Sequence, residues 1–426
     1  MNADNYTLLH QAALNGDTRT VERLLLLPLT HGALINAKDK DANTPLHLAI
    51  WKSHTDVAEL LLGNGASIFD TNRFSNTPLH LAAWTGHLGM AKLLLRECAR
   101  TNAIRPYTNY PITPLHAGNQ YRGSPLHARN QYSDTPLHLA VSKGHTDMVE
   151  LLLRGGASIR AAGGRSNTPL HVAARNGYIA VVELLLEKGA PTETRHRYHV
   201  TPLHLAARNG HTGVVELLLL KGASIEARGQ YNRTTLHLAV QMNHTNVVEL
   251  LLKRGASARA MDAGGDTPLH IAARIGCTGV MGLLLERGAL IDHRGRYQMT
   301  PLHFAVRMNH TNAVELLLLK GASIEARGQL NRTPLHLAVR MRRTSIAELL
   351  LMNGAFIESL DEDERTPLHL AALMCEPEAV ELLLRKGASR EAVDKDKCTP
   401  LNLAAQRGCA GTVRVLGGKK TDVGLA

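Results

Sequence analysis

The sequence predicts an all-α solenoid of about twelve helix–turn–helix units joined by β-hairpin or loop fingers. Three observations predict it. A Thr-Pro-Leu-His string, or a near variant, recurs with its histidine at His138, His171, His204, His237, His270, His303, His336 and His369, always 33 residues apart. Of 426 residues, 44% are hydrophobic but only 4% aromatic, so the core must be built from Leu, Ala, Val and Ile. Thin stacked layers suit that composition better than one thick core. Each period also holds two short apolar segments ended by glycine, too little to bury its own apolar faces alone.

One unit shows why these elements form. Thr201 suits a helix N-cap, and Pro202 suits the first helical position, where no amide donor is needed. Leu203, Leu205, Ala206 and Ala207 then make a short apolar helix that Gly210 ends. Val214 to Leu220 is a second helix, with Gly222 as its left-handed stop. Ala223 to Arg233 reads as an extended turn, a finger leading to the next threonine. Small alanines at fixed positions let neighbouring helices approach closely. At a helix spacing of roughly 10 Å, twelve layers would make a curved rod on the order of 120 Å long.

The 33-residue period carrying Thr-Pro-Leu-His-x-Ala resembles the ankyrin-repeat family over nearly the whole chain, with further copies at His10, His47 and His80 and Asn402 in the last one. The resemblance implies a protein-interaction scaffold that binds through its concave face. It implies that the motif histidines hydrogen-bond the turn to the helix. Histidines seven residues further on (His54, His87, His145, His211, His244 and His310) would support the interhelical loop. The extended units are similar to those of repeat-only chains of filamentous fungi, some encoded near secondary-metabolite genes. Microbial effector proteins of the same family are the alternative.

The register breaks once. Starts at Tyr110, Tyr121 and Tyr132 follow one another at 11-residue steps, and only the third continues into a helix pair. Residues 1–100 therefore read as three N-terminal repeats, 101–131 as an irregular insertion and candidate hinge, and 132–426 as nine C-terminal repeats with a short capping end. The first two starts are expected to loop out, because neither can fill a layer. Leu217 to Gln230 and Leu316 to Gln329 are the same string, so the array grew by copying blocks of three repeats.

No catalytic, metal or cofactor pattern emerges. Same-register histidines in layers about 10 Å apart cannot converge on one zinc ion, whose ligands lie ~2 Å away. Neither HExxH nor GxSxG occurs, and Gly417 to Thr421 fails the phosphate-loop pattern. Asp361 to Glu364 is expected to be an exposed, unpaired acidic finger tip. The five cysteines are scattered, with no CxxC pair, and suggest neither a disulfide framework nor a zinc site. A reducing compartment, the cytoplasm or the nucleus, is the natural reading. There is no signal-peptide pattern and no apolar run long enough to span a membrane.

Function is then expected in the variable positions. Four residues after the motif histidine, on the inner helix, stand Trp51, Trp84, Arg175, Arg208, Arg274, Arg307 and Arg340; the family resemblance makes this a recognition position. In the fingers, Tyr198, Tyr231 and Tyr297 lie six residues before the histidine, and Arg195, Arg228, Arg294 and Arg327 lie nine before it. Trp, Tyr and Arg are the types enriched at interface hot spots. The formal charge of +11 thus concentrates into a basic, aromatic strip, suited to an acidic protein partner of a monomeric chain. Two alternatives stay open. The strip could simply pack and solvate the fingers, or its charge could serve nucleic acid, although no nucleic-acid module accompanies it.

Overall fold

The computed structural model describes residues 6–26, 35–104 and 124–417, with no account of the side chains of 102–104. The described residues contain 24 α-helices and no strand. They form two compact units, Met1–Ser224 and Ile225–Ala426. Six helix pairs fall in each. In the first, the inner helices run from Leu8–Asn15 to Pro202–Arg208; in the second, from Thr235–Gln241 to Pro400–Gln406. Within each unit, inner helix packs on inner helix and outer on outer, layer after layer.

The pair Pro202–Arg208 and Thr212–Leu220 follows from its residues. Thr201 is extended (φ −92°, ψ 166°) and forms a capping box with His204. Gly210 (φ 77°) and Gly222 (φ 85°) take the left-handed conformation after the two helices. Leu203, Ala206, Ala207, Val214, Val215 and Leu218 are at most 1% exposed. At ~1.5–3 kcal/mol for each large side chain, this repeated Leu/Val layer is the main stabilising term. Leu220, 65% exposed, points away from it.

The threonine–histidine pair recurs in eleven of the twelve layers. Thr Oγ1 meets His Nδ1 at 2.8–2.9 Å in eleven repeats, and Asn402 Oδ1 replaces the ring in the twelfth at 2.8 Å. The threonine backbone N–H also donates to Nδ1, for example 3.2 Å from Thr44 to His47. The other ring nitrogen donates to a carbonyl of the next finger, as from His47 to Asn76 and from His303 to Arg332, both 3.1 Å. An N–H can only donate and a carbonyl only accept, so each ring is neutral with its hydrogen on Nε2. Burial pulls His47, His80, His171, His237, His270 and His303 down to about 4.

Third and fourth repeats stack directly: His80 Nε2 donates to the Asp134 carbonyl at 3.1 Å, 54 residues away rather than the usual 29. The outer helix before this break, Leu88–Ile104, runs on through the buried Cys98, where other repeats have a terminating glycine. The start at Tyr110 lies outside the described residues. Of the start at Tyr121, the part from Ser124 does not loop away. Pro125–His127 is a 3-10 turn, Leu126 is 4% exposed, and Asn130 reaches Asn76 Oδ1 at 3.0 Å. The buried Leu126 and the bond from Asn130 to Asn76 hold this stretch on the array.

Two sequence expectations are corrected here. Cys375 and Cys409 form a disulfide with a Cα–Cα distance of 5.2 Å. Their separation of 34 residues is one repeat plus one, which brings neighbouring interhelical loops together. Asp361 is neither exposed nor unpaired. It is 4% exposed, its Oδ2 lies 3.1 Å from Arg332 Nε, and its Oδ1 accepts the N–H groups of Asp363 and Arg365 at 2.9 and 3.0 Å. Asp363 likewise pairs with Arg365 at 2.9 Å and with Lys395. The fingers are tight turns, closed for example by Gly229 N–H to Arg233 O at 2.9 Å and Asn232 N–H to Gly229 O at 3.0 Å, and the described residues form no β-strand.

Candidate partner-binding surface

The recognition row sits at the C-terminal ends of the inner helices, and the next repeat holds it. Loop histidines donate to the row's carbonyls: His145 to Trp84 at 3.2 Å, His211 to Arg175 at 2.9 Å and His310 to Arg274 at 3.0 Å. Tyr178 stands in for a histidine and donates its hydroxyl to Ser142 O at 3.4 Å. Trp84, Ser142, Arg175 and Arg274 are thus held through their backbone carbonyls by the following repeat.

In the first unit, Trp51 is 51% and Trp84 39% exposed, although large aromatics are usually mostly buried. Lys143 Nζ lies 3.6 Å from the centroid of the Trp84 ring, a cation–π contact. Arg175 is half-buried and Arg208 exposed. Burial, then the guanidiniums of Arg165 and Arg208, holds Arg175 below the ordinary arginine value. Arg165 is a finger-tip residue that sequence reading passed over. It stands six residues before His171, in the register of the tyrosines, and that register was the available signal.

In the second unit, Arg274 is half-buried while Arg307 and Arg340 are exposed. Burial, then Arg332 and Arg307, lowers Arg340. Like charges thus face one another along the row, so an approaching anion would relieve repulsion as well as gain attraction.

The finger residues divide. Tyr198, Tyr231 and Tyr297 are 42%, 65% and 55% exposed. Tyr231 (φ 57°) and Tyr297 (φ 59°) adopt the left-handed conformation, disfavoured for bulky residues, at turns that present the ring outward. Arg228 and Arg327 hold the fingers together. Each Nη1 donates to its own turn at 3.1 Å and to the next finger, at Met261 O (2.7 Å) and Leu360 O (2.6 Å). Arg129, 99 residues before Arg228, does the same with Ser133 and Ala162. Arg195 and Arg294 are exposed.

The acidic residues explain why this surface is basic. Glu193, Glu226, Asp292, Glu325 and Glu358 recur in one finger register. They accept backbone N–H groups of Ser224, Ser257, Ser323, Phe356 and Ser389 at 2.7–2.9 Å. Carboxylates are thus engaged within the fingers, while the row arginines face outward. The motif histidines have both ring nitrogens occupied and have no lone pair left for a metal or a substrate proton. Among the described residues, no three His, Cys, Asp or Glu side chains come together as a metal site.

The family models test this arrangement against known sequences. The model for ankyrin repeats in three copies matches residues 1–72, 115–196, 191–262, 255–328, 297–361 and 335–425, and that for ankyrin repeats in many copies matches 52–95. The chain belongs to the ankyrin-repeat family. Ankyrin repeats are in general protein-interaction modules, and typically non-catalytic. Among solved structures, the chain is similar to the crystal structure of the human ASB11 ankyrin repeat domain. The identity is 28%, the match covers 51% of this chain and 96% of that one, and the TM-score is 0.46. No curated protein matches the chain. No helix among the described residues is long and apolar enough to cross a membrane.

Proposed function

We propose that this ankyrin-repeat chain is a non-catalytic adaptor that binds an acidic protein partner as a monomer. The contact surface is the inner-helix row with its exposed finger tips. One observation carries the reading: the row presents positively charged side chains, exposed at Arg208, Arg307 and Arg340, while the finger carboxylates accept backbone amides of the fold. Trp51 and Trp84 add an apolar anchor in the first unit, and Arg307 and Arg340 a charged one in the second. Electrostatic complementarity of this kind mainly speeds and selects encounter; desolvated aromatic anchors supply most of the affinity.

The test is affinity purification with wild type and with Arg208, Arg274 and Arg307 changed to Glu, after matching helical content and melting temperature. The adaptor reading expects a specific acidic partner that the variant no longer retains. Equal recovery by the folded variant would remove the basic row from the account.

A further inference from the structure

Arg332 is 9% exposed, and its Nη1 is buried without a hydrogen-bond partner. Two sister sites show what this position ordinarily has. One block earlier, Arg233 makes the same Nε contact, to Asp262 at 3.3 Å, and its Nη1 donates to Gln241 Oε1 at 3.0 Å. One repeat later, Arg365 Nε faces Asp394 at 3.3 Å and its Nη1 donates to Asp363 Oδ2 at 2.9 Å. At Arg332 the Nε contact with Asp361 persists, at 3.1 Å, but the internal acceptor is gone. Arg340 occupies the place of Gln241, 99 residues on, and a guanidinium only donates.

Arg332 lines a groove of about 210 Å³, with Arg307 and Arg340 beside it and Met299, Leu330 and Met341 as its apolar walls. Three guanidiniums meet there against the single carboxylate of Asp361. The one imidazole in the lining, His303, is neutral and spends its Nε2 hydrogen on the Arg332 carbonyl. A buried N–H without an acceptor costs free energy that a bound acceptor recovers. Two uncompensated positive charges and several unengaged donors match a phosphoryl dianion, with its three strong acceptor oxygens, better than a carboxylate.

We propose that this groove binds the phosphoryl group of a phosphorylated side chain on the partner protein, with an adjacent apolar residue against Met299, Leu330 and Met341. The proposal rests on the adaptor reading for its partner, but the groove can be tested without one. Arg340→Gln restores the acceptor seen at Gln241 and removes one charge, a substitution whose local fold already exists in this chain.

Inorganic phosphate, sulfate and acetate are titrated into the full chain at constant ionic strength, with the Met299 and Met341 methyl groups followed by NMR. The peptide acetyl-Gly-Leu-phosphoSer-Leu-Gly-amide is compared with its unphosphorylated form. Saturable shifts are expected with phosphate and sulfate. The phosphopeptide is expected to bind at least tenfold tighter than its control, and Arg340→Gln to weaken it at least tenfold. No saturable response to phosphate and phosphopeptide, or an undiminished one in Arg340→Gln, would overturn the site. Acetate equal to phosphate would overturn its phosphoryl preference. Failure here with loss of partner in the charge-reversal variant sinks the groove alone; phosphate binding with partner recovery unchanged keeps the anion site and removes the basic row, with this groove, as the partner's contact.

Discussion

Lowering the pH is expected to unfold the array well before the carboxylates titrate. Six motif histidines are held at about 4 by burial, against the ordinary 6.5: His47, His80 and His171 in the first unit, and His237, His270 and His303 in the second. Between these values the unfolded chain binds protons that the folded chain refuses. Stability is therefore full above about pH 6.5 and is lost as the pH falls toward 4. At pH 5.5 each ring costs on the order of 1 kcal/mol, or a few kcal/mol for the three in either unit. That is a large part of the ~5–15 kcal/mol that keeps a domain folded. The cost has a structural cause, because a proton on Nδ1 would oppose the threonine N–H that now donates to it. Urea titrations followed by circular dichroism at pH 7.5, 6.5, 5.5 and 4.5 measure the effect. The midpoint is expected to begin to fall between pH 7.5 and 6.5 and to fall steeply below that. A midpoint unchanged down to pH 5 would refute the neutral-histidine ladder.

Further outcomes follow from particular contacts. Reduction, or Cys375→Ser, is expected to loosen the last repeat. The chain-entropy value for a 34-residue separation is about 4 kcal/mol at most, and hydrogen exchange in Pro400–Gln406 reads the loss. Gly295→Ala would place a Cβ 2.4 Å from Asp266 Oδ1 and is expected to cost ~1–3 kcal/mol in thermal or urea unfolding. Gly282→Ala, in the outer helix Thr278–Glu286 with nothing within 4 Å, is expected to add ~0.5–1 kcal/mol in the same assay. Paired Trp51→Ala and Trp84→Ala changes are expected to weaken partner binding by about 2 kcal/mol, roughly thirtyfold, with little change in melting temperature. Unchanged affinity by calorimetry would make both rings bystanders.

The repeat was legible because its determinants are local. Thr201, Pro202, Gly210 and Gly222 each act within a few residues, and the sequence period carries them down the chain. The recognition row was legible for the same reason, since register alone places Trp84 or Arg307 at an inner-helix end. What sequence reading missed depends on the neighbouring finger. Arg228 and Arg195 share a register, yet Arg228 bonds Met261 O while Arg195 stays exposed. Asp361 looked like one of four exposed acids, and only the fold shows Arg332 and two backbone amides around it. The Cys375–Cys409 bond has no local motif, because its partners meet through stacking alone. The unsatisfied Nη1 of Arg332 shows only against Arg233 and Arg365, whose side-chain partners are three-dimensional facts.

The central claim is that partners dock on the inner-helix ends and finger tips. Hydrogen–deuterium exchange of the full chain, with and without its purified partner, tests it most directly. Protection is expected at the C-terminal ends of the inner helices, such as Pro78–Thr85 and Pro301–Arg307, and at the tips around Tyr231 and Tyr297. Protection confined to the outer helices, such as Thr212–Leu220 and Thr311–Leu319, would contradict the account.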